Sequence, residues 1–134
     1  MKSLVLSLNV ALALLLMPLA SGAVPLLIAV ASDDVEAASL VSNFAGRSRC
    51  YLLFSGVDFI QVVNNPFLQK RPGAAPFVVD YLAQKGVTVL VAGSFAPLMI
   101  EALDKKGMKY IQYSGVAQNA AERVINLFPP TPKK

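Results

Sequence analysis

The residues that could form a ligand site follow three apolar runs that are typical of strands. They are Ser32, Asp33, Gly93, Ser94, Phe95, Ala96, Ser114 and Gly115. In open α/β sheets, ligands bind beyond the carboxyl ends of the strands. These turns are therefore expected to converge on one site. Serine is also common in turns and caps for structural reasons, so both roles stay open for the three serines.

The chemistry expected at this site is anion binding. Pro97 begins a predicted helix, and the backbone amides in the first turn of a helix favour negative charge. Basic side chains from two other segments would add positive charge, namely Arg47, Arg49, Lys70 and Arg71. Such a pocket suits an anionic metal–sulfur cluster or an oxyanion without direct ligation by side chains.

The composition excludes several other kinds of site. The chain has no histidine and one cysteine, which rules out a histidine-based catalytic dyad, an imidazole metal site and an intramolecular disulfide. Cys50, Met99 and Met108 are soft ligands that could bind Cu(I), but nothing groups them in the sequence. A structural role in the core is the preferred interpretation of all three.

A carboxylate-dependent hydrolase is the enzymatic alternative. Asp33 and Asp34 form the only adjacent acidic pair, and Glu36 is the one further acid nearby. Carboxylates could bind Mg²⁺ or Ca²⁺, but the sequence has neither a fourth nearby acid nor a Gly-x-Ser-x-Gly nucleophile turn. The sequence therefore favours a protein without enzymatic activity.

The first 23 residues are typical of a secretory signal peptide. Lys2 precedes the apolar run Leu4–Leu19, and Ser21–Ala23 provides a small-residue cleavage site. An uncleaved membrane anchor is the alternative, because the apolar run is close to the roughly 17 residues that can span a bilayer. Pro18 and the small residues after it favour cleavage and a periplasmic or secreted protein.

The remaining chain is expected to form one domain over residues 24–128, followed by a Pro/Lys tail over residues 129–134. The formal net charge of +4 is too small to indicate nucleic-acid binding, which usually requires a strongly basic face. Contact with a membrane is expected only through an uncleaved signal peptide.

The hydrophobic pattern predicts the order β-β-β-α-β-α-β-α. The predicted strands are Pro25–Ala31, Cys50–Phe54, Phe59–Asn64, Val87–Ala92 and Met108–Tyr113. The predicted helices are Pro76–Lys85, a segment from Pro97 to the stop signal at Gly107, and Ala117–Phe128. Val35–Ser42 is either a loop or a short helical turn.

Several details of these elements can also be predicted. The helix after Pro97 has Leu98, Met99, Ala102 and Leu103 on its apolar side, and Ser114 or Gly115 is the expected cap of the last helix. A hairpin of the second and third strands, followed by right-handed βαβ connections, gives a mixed five-stranded sheet with helices on both faces. The fold class is a three-layer α/β domain.

The order and spacing of several short motifs resemble the dinitrogenase iron–molybdenum cofactor family, which includes nitrogenase cofactor carriers and domains of the small orange-protein type. The matching residues are Ile28–Asp34, Val41-Ser42, Gly46-Arg47, Tyr51–Phe54, Asn65-Pro66, Gly86-Val87, Val91–Gly93, Pro97, Ala102-Leu103, Gly107 and Ser114-Gly115. The resemblance implies a ribonuclease-H-like fold without nuclease activity and a role in holding or delivering a metal–sulfur cluster.

The expected convergence of the strand-end turns and the resemblance together give the predicted cofactor-binding residues: Ser32, Asp33, Asn43, Arg47, Gly93, Ser94, Phe95, Ala96, Ser114 and Gly115. The chain also departs from the family pattern. Asn43 or Phe44 stands where the family typically has a histidine, and Ala96 replaces a glycine.

Two functions follow. The first is an exported carrier of a molybdenum–, iron– or copper–sulfur cluster, which would exchange cargo with an unidentified envelope protein. The alternative is a protein that has kept the fold, has lost cofactor binding, and binds a protein partner or a small ligand.

Overall fold

The computed structural model describes residues 26–70 and 73–129. The predicted signal peptide, Arg71 and residues 130–134 of the predicted tail lie outside the described residues. In the part of the chain that is described, no helix is both long enough and apolar enough to cross a membrane.

Five strands and three helices follow each other in the predicted order. They are β1 (Leu27–Ser32), β2 (Cys50–Ser55), β3 (Asp58–Asn64), α1 (Ala75–Gln84), β4 (Val89–Ala92), α2 (Pro97–Lys106), β5 (Lys109–Gln112) and α3 (Ala117–Leu127). The strands form one sheet in the order β3-β2-β1-β4-β5. β2 is antiparallel to β1 and β3, while β4 is parallel to β1 and β5. The predicted mixed sheet is confirmed.

Two hydrophobic clusters lie on opposite faces of the sheet. In β1, Ala29 and Ala31 contact the cluster beneath α1 and α2, while Ile28 and Val30 contact the cluster beneath α3. Successive side chains of a strand point to opposite faces, so a strand that is apolar throughout belongs at the centre of a covered sheet. The three-layer α/β architecture is confirmed, with two helices on one face and one on the other.

Residues 33–49, called the crossing loop here, link β1 to β2 and pass over the carboxyl ends of the parallel strands. The amide of Gly93 donates to the carbonyl oxygen of Ser42 at 2.8 Å, and the amide of Val41 donates to that of Gly115 at 2.8 Å. Of the two possibilities left open for Val35–Ser42, the structure has the loop, composed of bends and turns.

The crossing loop also caps α3. The amides of the first two residues of α3 donate to the carbonyl oxygens of Ser39 and Ala37, at 2.8 and 3.0 Å. The N-cap residue is Val116, which makes no side-chain hydrogen bond. The prediction that Ser114 or Gly115 caps this helix is therefore wrong. Distant backbone carbonyls take the place of the local cap that the sequence suggested.

The two-sided core allows a test of which apolar positions stabilise the fold. Leu82 of α1 is fully buried, whereas Leu127 of α3 is 52% exposed. Leu82→Ala should lower the free energy of unfolding by about 2–5 kcal/mol, because it removes buried methyl groups and leaves a cavity. Leu127→Ala should change it by about 0.5 kcal/mol or less. Urea denaturation measures both variants, and equal effects would contradict this assignment of the core.

Candidate functional site

A cavity of about 520 Å³ opens between the crossing loop, the segment before α1, and the start of α2. The residues that line it are Phe44, Ala45, Gly46, Arg47, Lys70, Gly73, Ala74, Ala75, Ser94, Phe95, Ala96, Leu98 and Met99. Its volume lies within the range of about 300–1,000 Å³ that is usual for small-ligand sites.

The walls of this cavity are mainly apolar. Ala45 and Met99 are 3% and 2% exposed and belong to the core beneath α1 and α2. Phe95 packs on that core, and its ring centroid lies 5.2 Å from that of Tyr110. Leu98 was expected on the core side of its helix, but it is 60% exposed and lines the cavity. Leu98 thus lies one position outside the buried residues of α2 and contributes to the cavity wall.

Two cations stand at the cavity, each beside an aromatic ring. The guanidinium carbon of Arg47 lies 4.6 Å from the ring centroid of Phe44. The ammonium nitrogen of Lys70 lies 4.4 Å from the ring centroid of Phe77. Cation–π contacts at such distances are favourable, and they restrain the two side chains without neutralising them.

Electrostatically, the cavity favours an anion. None of the described residues that line it is acidic. The amino-terminal ends of α1 and α2 both border it, through Ala74 and Ala96, their N-cap residues. The positive end of each helix dipole adds to the two side-chain charges. Fewer backbone donors are free in α2 than expected, because Pro97 has no amide hydrogen and the amide of Met99 donates to Ala96.

A buried polar pair holds the part of the crossing loop that carries Arg47. The side-chain amide of Asn65 donates to the carbonyl oxygens of Gly46 and Ser48, at 3.1 and 3.0 Å. The hydroxyl of Tyr51 donates to the carbonyl oxygen of Ala45 at 2.6 Å. Burial raises the pKa of Tyr51 far above its usual range, so this hydroxyl stays protonated and keeps donating.

Two glycines allow the crossing loop to pack closely against its neighbours. A Cβ atom on Gly46 would lie 2.8 Å from Cε of Met99, at the floor of the cavity. A Cβ atom on Gly93 would lie 2.9 Å from the Cα atom of Asn43 and 2.5 Å from its side-chain oxygen. At Gly46 the flexible end of the Met99 side chain would have to shift to admit a larger residue, whereas at Gly93 the contact with the backbone of Asn43 would force the crossing loop to move.

The structure brings some of the predicted site residues together. Arg47, Ser94, Phe95 and Ala96 line the cavity. Asn43 and Gly93 lie directly behind it, where the hydroxyl of Ser94 donates to the carbonyl oxygen of Asn43 at 2.6 Å. Lys70 also reaches the cavity.

The other predicted residues lie outside this cavity. Ser32 is fully buried, and its hydroxyl donates to the carbonyl oxygen of Leu40 at 3.2 Å. Asp33 accepts a hydrogen bond from the amide of Arg49 at 3.1 Å. Ser114 and Gly115 lie beyond β5, beside the part of the crossing loop that caps α3. None of these four residues is among those that line the cavity.

Asp33, Asp34, Arg49 and Cys50 line a separate shallow depression. In the described part of the chain, no group of three or more cysteine or carboxylate side chains is placed to hold a metal ion. The thiol of Cys50 donates to the carbonyl oxygens of Ser32 and Asp34, at 3.3 Å each. This residue is 2% exposed, in agreement with a structural role.

The positioning role of Asn65 and Tyr51 and the cavity wall over residues 73–75 were not recognised in the sequence. Asn65-Pro66 was interpreted as the end of a strand and as a motif of the family resemblance. An asparagine in a turn commonly accepts a hydrogen bond from the amide two residues on, as Asn65 does from Phe67 at 2.9 Å, but this local signal does not indicate the contact with the crossing loop. Its partner loop lies 17 to 19 residues away, which local patterns do not indicate.

The family model described as "Dinitrogenase iron-molybdenum cofactor" matches residues 24–127. The apo form of the orange protein from Desulfovibrio gigas is similar in structure, with a TM-score of 0.70 and 24% identity over 81% of this chain and 96% of that chain. A putative NifB protein from Thermotoga has a TM-score of 0.63 and 24% identity, over 80% of this chain and 92% of that chain. These likenesses show the fold. The comparison with curated proteins finds no match.

Asn65→Ala tests the support of the crossing loop. It should lower the free energy of unfolding by about 1–3 kcal/mol, because it leaves two buried carbonyl oxygens without their donor. The neighbouring Asn64 is exposed, so Asn64→Ala should change it by about 0.5 kcal/mol or less. Urea denaturation of both variants makes the comparison, and similar values would remove the proposed role of Asn65.

The buried thiol of Cys50 is expected to make the free energy of unfolding depend on pH. Burial is the main reason that the pKa of its thiol is raised; the charges of Asp33 and Asp34 raise it further, while Arg49 lowers it. A folded-state pKa above the unfolded value stabilises the native state at lower pH. This contribution should be lost as the pH rises above about 8.5, the ordinary thiol pKa.

The free energy of unfolding should therefore fall between about pH 8.5 and 10, by at most about 1.4 kcal/mol per pH unit. Cys50→Ala should not show this slope, whatever its stability at pH 7. Tyr51 adds a slope of its own near pH 10, where an unfolded tyrosine ionises, but it does so in both proteins, so the difference between the two slopes reports on Cys50. Urea denaturation at several pH values gives the two slopes, and identical slopes would contradict the assignment.

Proposed function

The chain belongs to the dinitrogenase iron–molybdenum cofactor family, and we propose that it is a non-enzymatic carrier that holds an anionic metal–sulfur cluster or oxyanion in the cavity beside Arg47. The observation that carries the proposal is the pairing of Arg47 and Lys70 around a cavity whose described lining residues include no acid. The two helix amino termini support the same charge preference.

The residues of the cavity fit an anionic cluster that is held without direct ligation. The described lining residues include no thiol, imidazole or carboxylate, and Met99 supplies the one sulfur atom among them. A cluster whose metals are already coordinated by sulfide needs no ligands from the protein. Arg47 and Lys70 would neutralise its charge, and the apolar walls would exclude water from its surface.

The proposal includes export and delivery outside the cytoplasm. It is supported by the signal-peptide pattern of residues 1–23. The cargo would pass to or from an envelope protein that contacts the mouth of the cavity. Phe44 and Leu98 support such a contact, since they are 49% and 60% exposed there and exposed apolar patches often mark interaction surfaces.

The same two residues favour the second candidate, a binding protein that has kept the fold but carries no cluster. In that case the mouth of the cavity contacts its partner directly, with no metal required. The metal content of the mature protein, purified anaerobically from its native periplasm, distinguishes the candidates. The carrier should contain molybdenum, iron or copper with sulfide near one cluster per chain, whereas the alternative should contain none.

Binding of tetrathiomolybdate, a sulfur-coated anion, tests the carrier function directly. Arg47→Ala should weaken its binding about tenfold, because one charge-assisted contact is lost. Arg49→Ala is the matched control, since it removes the same charge from the other side of the crossing loop. Equilibrium dialysis with molybdenum analysis gives both constants. Equal weakening by the two substitutions, or no binding at all, would argue against the proposed site.

A further inference from the structure

We infer that the cavity beside Arg47 also binds amphiphilic organic anions, in which a single carboxylate or sulfonate is joined to an extended apolar or aromatic body. The inference rests on the shape, lining and charge of the cavity. It does not depend on the metal–sulfur cargo proposed above, although both ligands would occupy the same space.

The volume of the cavity is the first argument. Its 520 Å³ corresponds to roughly 17 water molecules at about 30 Å³ each. An inorganic tetrahedral anion has five heavy atoms and would displace only a small part of this water. The apolar walls around it would stay wet. A ligand with an extended body would displace the rest of the water and fill the cavity.

The nature of the walls is the second argument. Phe44, Phe95, Leu98 and Met99 present aromatic, aliphatic and thioether surface. Alanines and glycines form most of the remaining wall and leave open space between these larger side chains. Burial of apolar ligand surface against such walls is favourable, and a largely apolar pocket with a few polar groups is typical of small-ligand sites.

The placement of charge is the third argument. Arg47 and Lys70 are exposed, and each is held on a ring by a cation–π contact. Both cations also line the cavity and can bind a carboxylate or sulfonate there. Because no described lining residue is acidic, the cationic group of a cationic or zwitterionic amphiphile lacks a partner here. The head group would therefore bind near the cations, and the body would lie along Phe95 and Leu98.

Fluorescence titration of the mature protein with 8-anilinonaphthalene-1-sulfonate tests this inference. The probe joins a sulfonate to aromatic rings and fluoresces when it leaves water. We expect saturable binding to one site of the native protein. Decanoate should displace the probe, whereas the same concentration of acetate, which has the charge without the apolar body, should not. Circular dichroism shows that the protein stays folded throughout the titration.

Paired substitutions locate the site. Arg47→Gln and Leu98→Ser should each weaken probe binding about tenfold, because one removes a head-group charge and the other an exposed part of the wall. Arg49→Gln and Leu127→Ser are the matched controls, with the same chemical changes away from the cavity, and should bind as the unaltered protein does. Both leucines are exposed, so neither substitution should prevent folding.

The outcomes separate this inference from the carrier function. Probe binding that is lost in the cavity variants and competed by tetrathiomolybdate supports the inference. Probe binding that no cavity variant changes, or displacement by acetate as effective as by decanoate, would overturn it. Binding of tetrathiomolybdate without any binding of the probe would also overturn it and leave the carrier function intact. Binding of the probe alone would support the inference and count against the carrier.

Discussion

The pairing of the crossing loop with the strand ends is the constraint on which the site depends. In an open α/β sheet the space above the carboxyl ends of the parallel strands is the usual ligand site. Here the backbone of Val41 and Ser42 fills that space and satisfies the exposed groups of Gly93 and Gly115. The available cavity is therefore displaced to one side, between the crossing loop and the first residues of α1 and α2. Buried backbone groups need partners, so this loop could not move away without another source of hydrogen bonds.

The contacts of the crossing loop explain which features of the structure could be predicted from the sequence and which could not. The strands and helices could be predicted because their signals are local, such as the continuous apolar run of β1 or the stop of α2 at Gly107. The turns after β1, β4 and β5 were also placed at the correct end of the sheet. What the sequence could not indicate is that a 17-residue loop covers Ser32 and caps α3 with its own carbonyls. Those contacts join residues that lie far apart in the chain, and no local periodicity records them.

Long-range contacts also explain why the roles of Leu98 and Asn65 could not be predicted from the sequence. A leucine beside the buried stripe of an amphipathic helix is normally assigned to the core, and only the position of the crossing loop shows that Leu98 lines a cavity. Asn65 directly follows β3, and its side chain supports Gly46 and Ser48 across the sheet end. In both cases the sequence shows the type of the residue but does not show which residues it contacts. Arg47 was predicted because it is one of the few basic side chains expected near the strand ends and because it belongs to a motif of the family resemblance.

No acid occurs among the described residues that line the cavity, and this connects the geometry of the cavity with its chemistry. A surface ion pair contributes little to stability, so a protein could satisfy Arg47 and Lys70 with carboxylates at no structural cost. Instead, aromatic rings hold the two cations at 4.6 and 4.4 Å and leave their charge uncompensated. A carboxylate in the same place would compete with any anionic ligand. The aromatic rings restrain the two cations and do not compete with an anionic ligand. This is equally useful for an inorganic cluster and for an organic anion. The charge and shape of the described lining therefore define what this cavity can hold.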